Sequence, residues 1–208
     1  MNRTILSLVF LTLFSAQSVA QFSANPTERL KKQSEQFAEK IVEVADKVHV
    51  AVGFSPANVS MIEGDDGLII IDTGMSVEDG TRIMEEFRKL SDKPVKAIIF
   101  THAHGDHTGG AAAFFGEQRP QIWAHKNFGS EARPWEDGGL TFQNVRGARQ
   151  AGFKLPPEQR INNGVAPARS PKRGGEIFSS GRETMPTHSL EAERKSINVG
   201  GVEFELVA

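Results

Sequence analysis

Four side chains of the kinds that bind metals lie within six residues of one another. His102, His104, Asp106 and His107 supply three imidazoles and one carboxylate. Such a mixed set suits Zn²⁺, with Fe or Mn as alternatives. Two metal ions about 3.5–4 Å apart can clamp a substrate oxygen and lower the pKa of a bound water to about 7. The cluster therefore predicts a hydrolytic site with two zinc ions, in which Asp106 also positions the attacking water.

A strand and a helix are predicted on either side of this cluster. The apolar run at residues 95–100 predicts a strand that leads directly into it. Because side chains alternate along a strand, a continuing strand would point His102 and His104 the same way, toward one ion. Gly105 allows the backbone to turn, so that the last two ligands face a second ion. The small residues from Thr108 onward predict a helix, and this context favours a metal site over a patch of histidines on a surface loop.

Helices and strands alternate along most of the chain before and around the cluster. Residues 28–44 carry apolar side chains at helical spacing and predict an amphipathic leading helix. A second helix is predicted to begin at Ser76, with Asp79 as its capping partner. Its buried face is predicted to contain Ile83, Met84, Phe87 and Leu90. Strands are predicted at residues 48–54, 58–63, 68–71, 95–100 and 121–125, and a hairpin with a Gly-Gly turn at residues 197–208. This order indicates an α/β fold, the first half of an αβ/βα sandwich.

The cluster and a second motif upstream of it resemble one known family. Residues 101–110, T-H-A-H-G-D-H-T-G-G, resemble the signature of the metallo-β-lactamase fold superfamily. Residues 67–74 resemble that family's other early motif, a buried strand that ends in Asp-Thr-Gly. The resemblance implies an αβ/βα metallo-β-lactamase sandwich, of which this chain holds the N-terminal half and an irregular insertion. It also implies that Asp72 orients the metal ligands through hydrogen bonds.

Residues 128–186 form an irregular basic segment that is rich in glycine and proline. Between residues 144 and 173, seven lysine and arginine residues accompany one acid, Glu158. The segment is either a solvated excursion or a lid that favours a small anionic substrate. Residues 144–156 are similar to a stretch in the alkylsulfatase branch of the superfamily. That similarity implies hydrolysis of alkyl sulfate esters on two zinc ions, with Asn144 and Arg146 as candidate substrate-binding residues.

Two other functions remain open on the sequence. One is another metallo-β-lactamase-fold hydrolase that acts on a β-lactam, lactone or thioester. The other is a non-catalytic periplasmic metal-binding module, because four ligands are about half of what a two-metal site needs. His125 and His188 are expected to be structural, with a further metal ligand as the alternative for His188. In relatives the next ligand follows a strand like that at residues 202–208, so we expect an N-terminal fragment of a longer enzyme, with any C-terminal domain for homodimerisation beyond it.

The N-terminus predicts export. A basic start, an apolar run at residues 5–14 and the small-x-Ala pattern at residues 18–20 are typical of a secretory signal peptide. We therefore expect a mature domain at residues 21–208, periplasmic or secreted, without a stable membrane anchor; an uncleaved anchor is the alternative. A net charge of −2 argues against nucleic-acid binding. Because the chain has no cysteine, it has neither disulfides nor thiolate ligands.

Overall fold

In the part of the chain that the structure describes, seven strands form one mixed sheet, and two more form a hairpin beside it. The computed structural model describes residues 25–130, 146, 148–152, 154–167 and 184–208. The strands of the sheet are β1 (Lys40–Ala45), β2 (Val48–Val52), β3 (Val59–Glu63), β4 (Leu68–Ile71), β5 (Val95–Ile99), β6 (Gln121–His125) and β7 (His188–Leu190). The hairpin consists of β8 (Arg194–Val199) and β9 (Val202–Val207). The α-helices described in full are α1 (Pro26–Ser34), α2 (Val77–Arg88) and α3 (Gly105–Thr108), and short 3₁₀ helices lie at Glu35–Phe37, Ala111–Phe114 and Pro157–Gln159. None of the described helices has the length and apolar character needed to cross a bilayer.

The sheet changes from antiparallel to parallel pairing at β4. Strands β1 to β4 pair antiparallel with their chain neighbours, and β4 to β7 pair parallel. Parallel neighbours need crossover connections, here through α2 between β4 and β5 and through α3 between β5 and β6. The carboxyl ends of β4, β5 and β6 therefore lie at the same edge of the sheet. Residues 72–76 and 100–110, which follow β4 and β5, meet at that edge.

Apolar side chains cover both faces of the sheet. On one face, α2 and the 3₁₀ helix at Ala111–Phe114 pack onto the strands, with Ile83, Phe87 and Phe114 fully or almost fully buried. On the other face, the hairpin packs Ile197 and Val199 onto the sheet, together with other side chains of β8 and β9. A sheet buried on both faces explains the uninterrupted apolar run of β4. The α/β class and the layered order predicted from the sequence are confirmed.

The cap of α2 also follows the prediction. Ser76 is buried with extended backbone, and its Oγ accepts a hydrogen bond from the backbone N–H of Asp79 at 3.1 Å. Such a bond satisfies one of the donors that the first turn of a helix leaves unpaired. The cap fixes the start of the helix at Val77. The loop at residues 72–76 must therefore end there, so the sequence signal at Ser76 also marks the end of that loop.

We expect Phe87→Ala to lower the free energy of unfolding by about 3–5 kcal/mol, because truncation leaves a cavity between α2 and the sheet. The side chain of Phe87 has no exposed surface. Leu90→Ala is the matched control on the same segment, since Leu90 is 47% exposed, and its cost should be about 0.5 kcal/mol or less. Urea unfolding of both variants measures the difference. Equal losses would contradict the placement of Phe87 in the core.

The predicted leading helix at residues 28–44 is wrong in its second half. Helix α1 ends at Ser34, a 3₁₀ turn follows, and the next residues form β1. This strand pairs antiparallel with β2 across a turn at Asp46 and Lys47. The β-branched side chains of β1 suit a pleated strand, and pairing with β2 outweighs the helical spacing of the apolar residues.

Three predictions at the ends of elements also differ from the structure. Leu90 does not belong to the buried face of α2, because the helix ends at Arg88 and Leu90 is exposed. Strand β5 ends at Ile99, so His102 and His104 lie on a loop and not on a strand. In place of a helix from Thr108 onward, the short α3 begins within the histidine motif and a 3₁₀ helix follows it.

Candidate metal centre

Two loops meet at the carboxyl-end edge of the sheet: the Asp72 loop, residues 72–76, and the histidine loop, residues 100–110. The backbone N–H and the hydroxyl of Thr73 both donate to the carbonyl of His107, at 2.7 and 2.9 Å. The backbone N–H of Gly110 donates to the carbonyl of Gly74 at 3.2 Å. These bonds hold the two loops together directly above the ends of β4 and β5.

Two glycines of the histidine loop allow this close approach. A Cβ added at Gly109 would lie 1.9 Å from the carbonyl oxygen of Met75, and one at Gly110 would lie 2.1 Å from that of Thr73. Because the clashing atoms belong to the backbone, rotating a side chain would not relieve the clash. The two glycines that close the motif are therefore required by the contact between the loops.

The three histidines of the loop lie in contact. The ring centroids of His102 and His104 are 4.5 Å apart, and those of His102 and His107 are 4.0 Å apart. His102 Nε2 lies 3.0 Å from His104 Nδ1, and His107 Nε2 lies 3.6 Å from a carboxylate oxygen of Asp106. The structure therefore brings together all four side chains of the predicted ligand set.

Asp72 lies beneath this cluster and contacts it through both carboxylate oxygens. Its side chain is buried, and its backbone has a positive φ of 58°, a conformation in which Asp is among the more frequent non-glycine residues. One oxygen accepts from the backbone N–H of Thr101 at 2.9 Å. The other accepts from the hydroxyl of Thr101 at 2.8 Å and is 2.7 Å from His107 Nδ1. A buried carboxylate thus orients the histidine loop from below.

The three imidazoles and one carboxylate are ligands that zinc prefers, although their donor atoms do not converge on a single position. Among the described residues, no group of three or more His, Cys, Asp or Glu side chains is placed to hold a metal ion. Two nitrogens bound to one tetrahedral zinc stand about 3.3 Å apart, given bond lengths of about 2.0–2.1 Å. The 3.0 Å between His102 Nε2 and His104 Nδ1 is close to that separation. These two nitrogens are disposed as a ligand pair, whereas His107 and Asp106 face each other.

An open cleft of about 510 Å³ begins at the histidine loop and runs over the carboxyl ends of the parallel strands. Thr101 lines the cleft where it meets the loop, and His125 and Glu205 are its ionisable residues. The carboxylate of Glu205 is paired with Arg194 at 2.9 Å. The remaining lining residues are mostly apolar: Ile99, Phe100, Ala124, Leu190, Leu206, Val207 and Ala208.

The other residues singled out from the sequence lie in different settings. His188 is in β7, where its ring stacks on Trp123 with centroids 4.6 Å apart. His125 ends β6, and its Nδ1 accepts from the backbone N–H of Asn127 at 3.3 Å. Arg146 is exposed, and Asn144 lies outside the described residues, as does the predicted signal peptide. Thr101 was not singled out from the sequence, although a hydroxyl directly before the first histidine of the motif is a signal that could have pointed to it.

The structure combines a mixed sheet, flanking helices and a cluster of histidine and aspartate at the carboxyl ends of the parallel strands. This combination defines a class of metal-dependent hydrolases. The sequence model described as "Metallo-beta-lactamase superfamily" matches residues 52–190. The chain therefore belongs to the metallo-β-lactamase superfamily, as the motifs indicated.

Proteins described as alkylsulfatases are among the relatives. The chain is 54% identical over 59 residues to a linear primary-alkylsulfatase from Pseudomonas sp. (strain ATCC 19151), a match that covers 28% of this chain and 11% of the relative. It is 41% identical over 147 residues to the 2,4-dinitroanisole O-demethylase subunit alpha from Nocardioides sp. (strain JS1661), covering 70% of this chain and 31% of the relative. The solved structure of the stereoselective inverting sec-alkylsulfatase Pisa1 from Pseudomonas sp. superposes with a TM-score of 0.61 at 25% identity, covering 81% of this chain and 27% of that chain. The chain thus spans less than a third of the length of each of these proteins.

Proposed function

We propose that the chain carries the metal-binding part of a zinc-dependent hydrolase that cleaves alkyl sulfate esters. The observation that carries the proposal is the position of the histidine loop, whose Thr101, next to the histidine cluster, lines one end of a largely apolar cleft. An alkyl sulfate has a small anionic head and an apolar tail, and this site offers a polar end and an apolar cleft for them. Similarity to alkylsulfatases in sequence and in fold supports the same substrate class.

Each side chain of the cluster has a distinct part in this proposal. His102 and His104 would hold one zinc ion through the two nitrogens that already lie 3.0 Å apart. Asp106 and His107 would hold the second, with the Asp106 carboxylate also accepting a hydrogen bond from the attacking water. Bound zinc supplies Lewis acidity at the substrate oxygen and makes water nucleophilic near neutral pH. Asp72 orients His107 from below through its 2.7 Å contact.

The charges of the cleft and of the basic segment are compatible with a substrate that has one anionic end. Glu205 would repel an anion, but its ion pair with Arg194 offsets that charge. The basic residues between positions 144 and 173 would attract the sulfate head, with Asn144 and Arg146 as its proposed contacts. The apolar lining from β5, β6 and β9 would bury the alkyl chain.

The natural full-length gene product, loaded with zinc, tests this function. We expect sulfate release from a medium-chain alkyl sulfate, measured by ion chromatography, and a loss on the order of 100-fold or more in Asp106→Ala, because the residue serves both the metal and the water. The Leu90→Ala protein is the control for handling and folding. Zinc-loaded protein that releases no sulfate would contradict the proposal.

Hydrolysis of an aryl alkyl ether is a second candidate, and one observation favours it. The relative described as a 2,4-dinitroanisole O-demethylase subunit is 41% identical over 147 residues, whereas a linear primary-alkylsulfatase from Pseudomonas sp. that matches over 175 residues is 26% identical. The same metal cluster could serve both reactions, since each needs an activated water and a stabilised leaving oxygen. Release of dinitrophenol from 2,4-dinitroanisole without sulfate release would favour this candidate. Opening of nitrocefin or of a lactone would favour another branch of the superfamily.

Export and assembly are further parts of the proposal. The sequence features of residues 1–20 support a cleaved signal peptide and a periplasmic or secreted protein. Amino-terminal sequencing of the protein from the periplasmic fraction should begin near Gln21, and a start at Met1 would contradict cleavage.

A homodimer of the full-length protein is the proposed assembly, and the molecular mass of the protein in solution tests it. Zinc-loaded protein that hydrolyses none of the substrates above would instead favour a metal-binding module.

A further inference from the structure

The hydroxyl of Thr101 lies at the centre of the cluster, in contact with three polar groups. Its oxygen is 2.8 Å from the Asp72 carboxylate, 3.0 Å from His102 Nδ1 and 3.5 Å from His107 Nδ1. The residue is exposed, so its side chain contributes little to the core. Its backbone N–H separately donates to the other oxygen of Asp72 at 2.9 Å. The side chain and the backbone of Thr101 therefore make different bonds to the same carboxylate.

The direction of these hydrogen bonds follows from counting protons. A carboxylate can only accept, so the single proton of the Thr101 hydroxyl points at Asp72. Toward His102 the hydroxyl can then only accept, which requires the proton of a neutral His102 to be on Nδ1. The lone pair of His102 is left on Nε2, the atom 3.0 Å from His104 Nδ1.

The carboxylate of Asp72 also contacts a second histidine, His107, and does so directly. Asp72 also accepts from His107 Nδ1 at 2.7 Å, which leaves the lone pair of a neutral His107 on Nε2. Both imidazoles are thus held in the form that offers Nε2 to a metal. One is held directly by Asp72, and the other is held through the hydroxyl of Thr101.

We propose that Thr101 is a positioning residue that carries the influence of Asp72 to His102, so that one buried carboxylate sets the protonated nitrogen of two histidines. The bond to Asp72 fixes the hydroxyl proton, and the fixed hydroxyl selects the His102 form with a free Nε2. The consequence for metal binding rests on the proposed function, whereas the selection of the tautomer does not.

Two conservative changes at Thr101 separate the hydroxyl from the backbone. Thr101→Val keeps the shape and the backbone bond to Asp72 but removes the hydroxyl, and Thr101→Ser keeps the hydroxyl. In the zinc-free chain, ¹⁵N NMR of the imidazoles should show Nδ1 protonated on His102 in the natural protein and in Thr101→Ser. In Thr101→Val, His102 should shift toward the Nε2-protonated form while His107 stays unchanged. Zinc dissociation constants should rise by about 10–100-fold in Thr101→Val, the usual effect of losing such a bond, and by less than about threefold in Thr101→Ser.

Asp72→Asn is the complementary variant, because asparagine also tolerates the positive φ at this position. An amide nitrogen donates where the carboxylate accepted, so His102 and His107 should both change, in contrast to Thr101→Val. The proposal is overturned if His102 keeps its tautomer in Thr101→Val, or if Thr101→Ser behaves like Thr101→Val. A shifted tautomer with unchanged zinc affinity would uphold the role of Thr101 and contradict the metal role of His102.

Discussion

Zinc affinity falls on the order of 100-fold or more when His102 or His104 is replaced by alanine. Each substitution removes one of two nitrogens that lie 3.0 Å apart, so the remaining nitrogen has lost its partner. Losing a hydrogen bond behind a ligand already costs about 10–100-fold in metal affinity, and losing the ligand itself should cost at least as much. Competition with a chromogenic zinc chelator measures the dissociation constant.

His188→Ala is the matched control for this prediction. His188 is a histidine of the same chain, but its ring stacks on Trp123 and lies in β7, not on the histidine loop. We expect its removal to leave the zinc dissociation constant within about threefold while lowering stability by about 0.5–1.5 kcal/mol, the value of a stacked aromatic pair. An equal loss of affinity in all three variants would indicate unspecific binding by histidines and would contradict the site.

Gly109→Ala should destabilise the fold by about 3 kcal/mol or more, at or beyond the upper end for overpacked positions. The added Cβ would lie 1.9 Å from the carbonyl oxygen of Met75, which belongs to the Asp72 loop. The loops must then separate, and the bonds that join them, such as Gly110 to Gly74, must lengthen or break. Zinc affinity should fall together with stability, because Asp72 moves away from the histidines. Thermal unfolding with and without zinc measures both effects.

Gly105→Ala provides the contrast within the same loop. A Cβ at Gly105 would have no atom within 4 Å, and the residue is the first of α3. Alanine there should leave stability unchanged or raise it by up to about 1 kcal/mol, since glycine is the weaker helix former. If both glycine variants were equally stable, the close contact between the two loops would not exist in solution.

Local signals predicted the elements that surround the site. The apolar run of β4, the short strand β6 and the Gly-Gly turn between β8 and β9 each depend on neighbours in the sequence, and all three were located correctly. The cap at Ser76 was likewise visible in a four-residue pattern. Such signals come from backbone preferences and from burial, and they do not require knowledge of the tertiary partners.

The features that the sequence did not reveal are contacts between residues that lie far apart in the chain. Residues 40–45 have helical spacing but form β1, because β2 is available to pair with them. The role of Thr101 depends on a carboxylate 29 residues earlier, and the short contact at Gly109 depends on the carbonyl of Met75. The motif predicted which four side chains would gather, and the family resemblance implied that Asp72 would orient them, but neither indicated that the Thr101 hydroxyl would contact both Asp72 and His102.

Zinc K-edge X-ray absorption of the zinc-loaded chain is the most direct test of the metal site at the histidine loop. We expect nitrogen and oxygen scatterers at about 2.0–2.1 Å, with the outer-shell features of at least two imidazoles. Those imidazole features should disappear in the His102→Ala, His104→Ala double variant. A spectrum without imidazole scattering, or one that the double substitution leaves unchanged, would contradict the site.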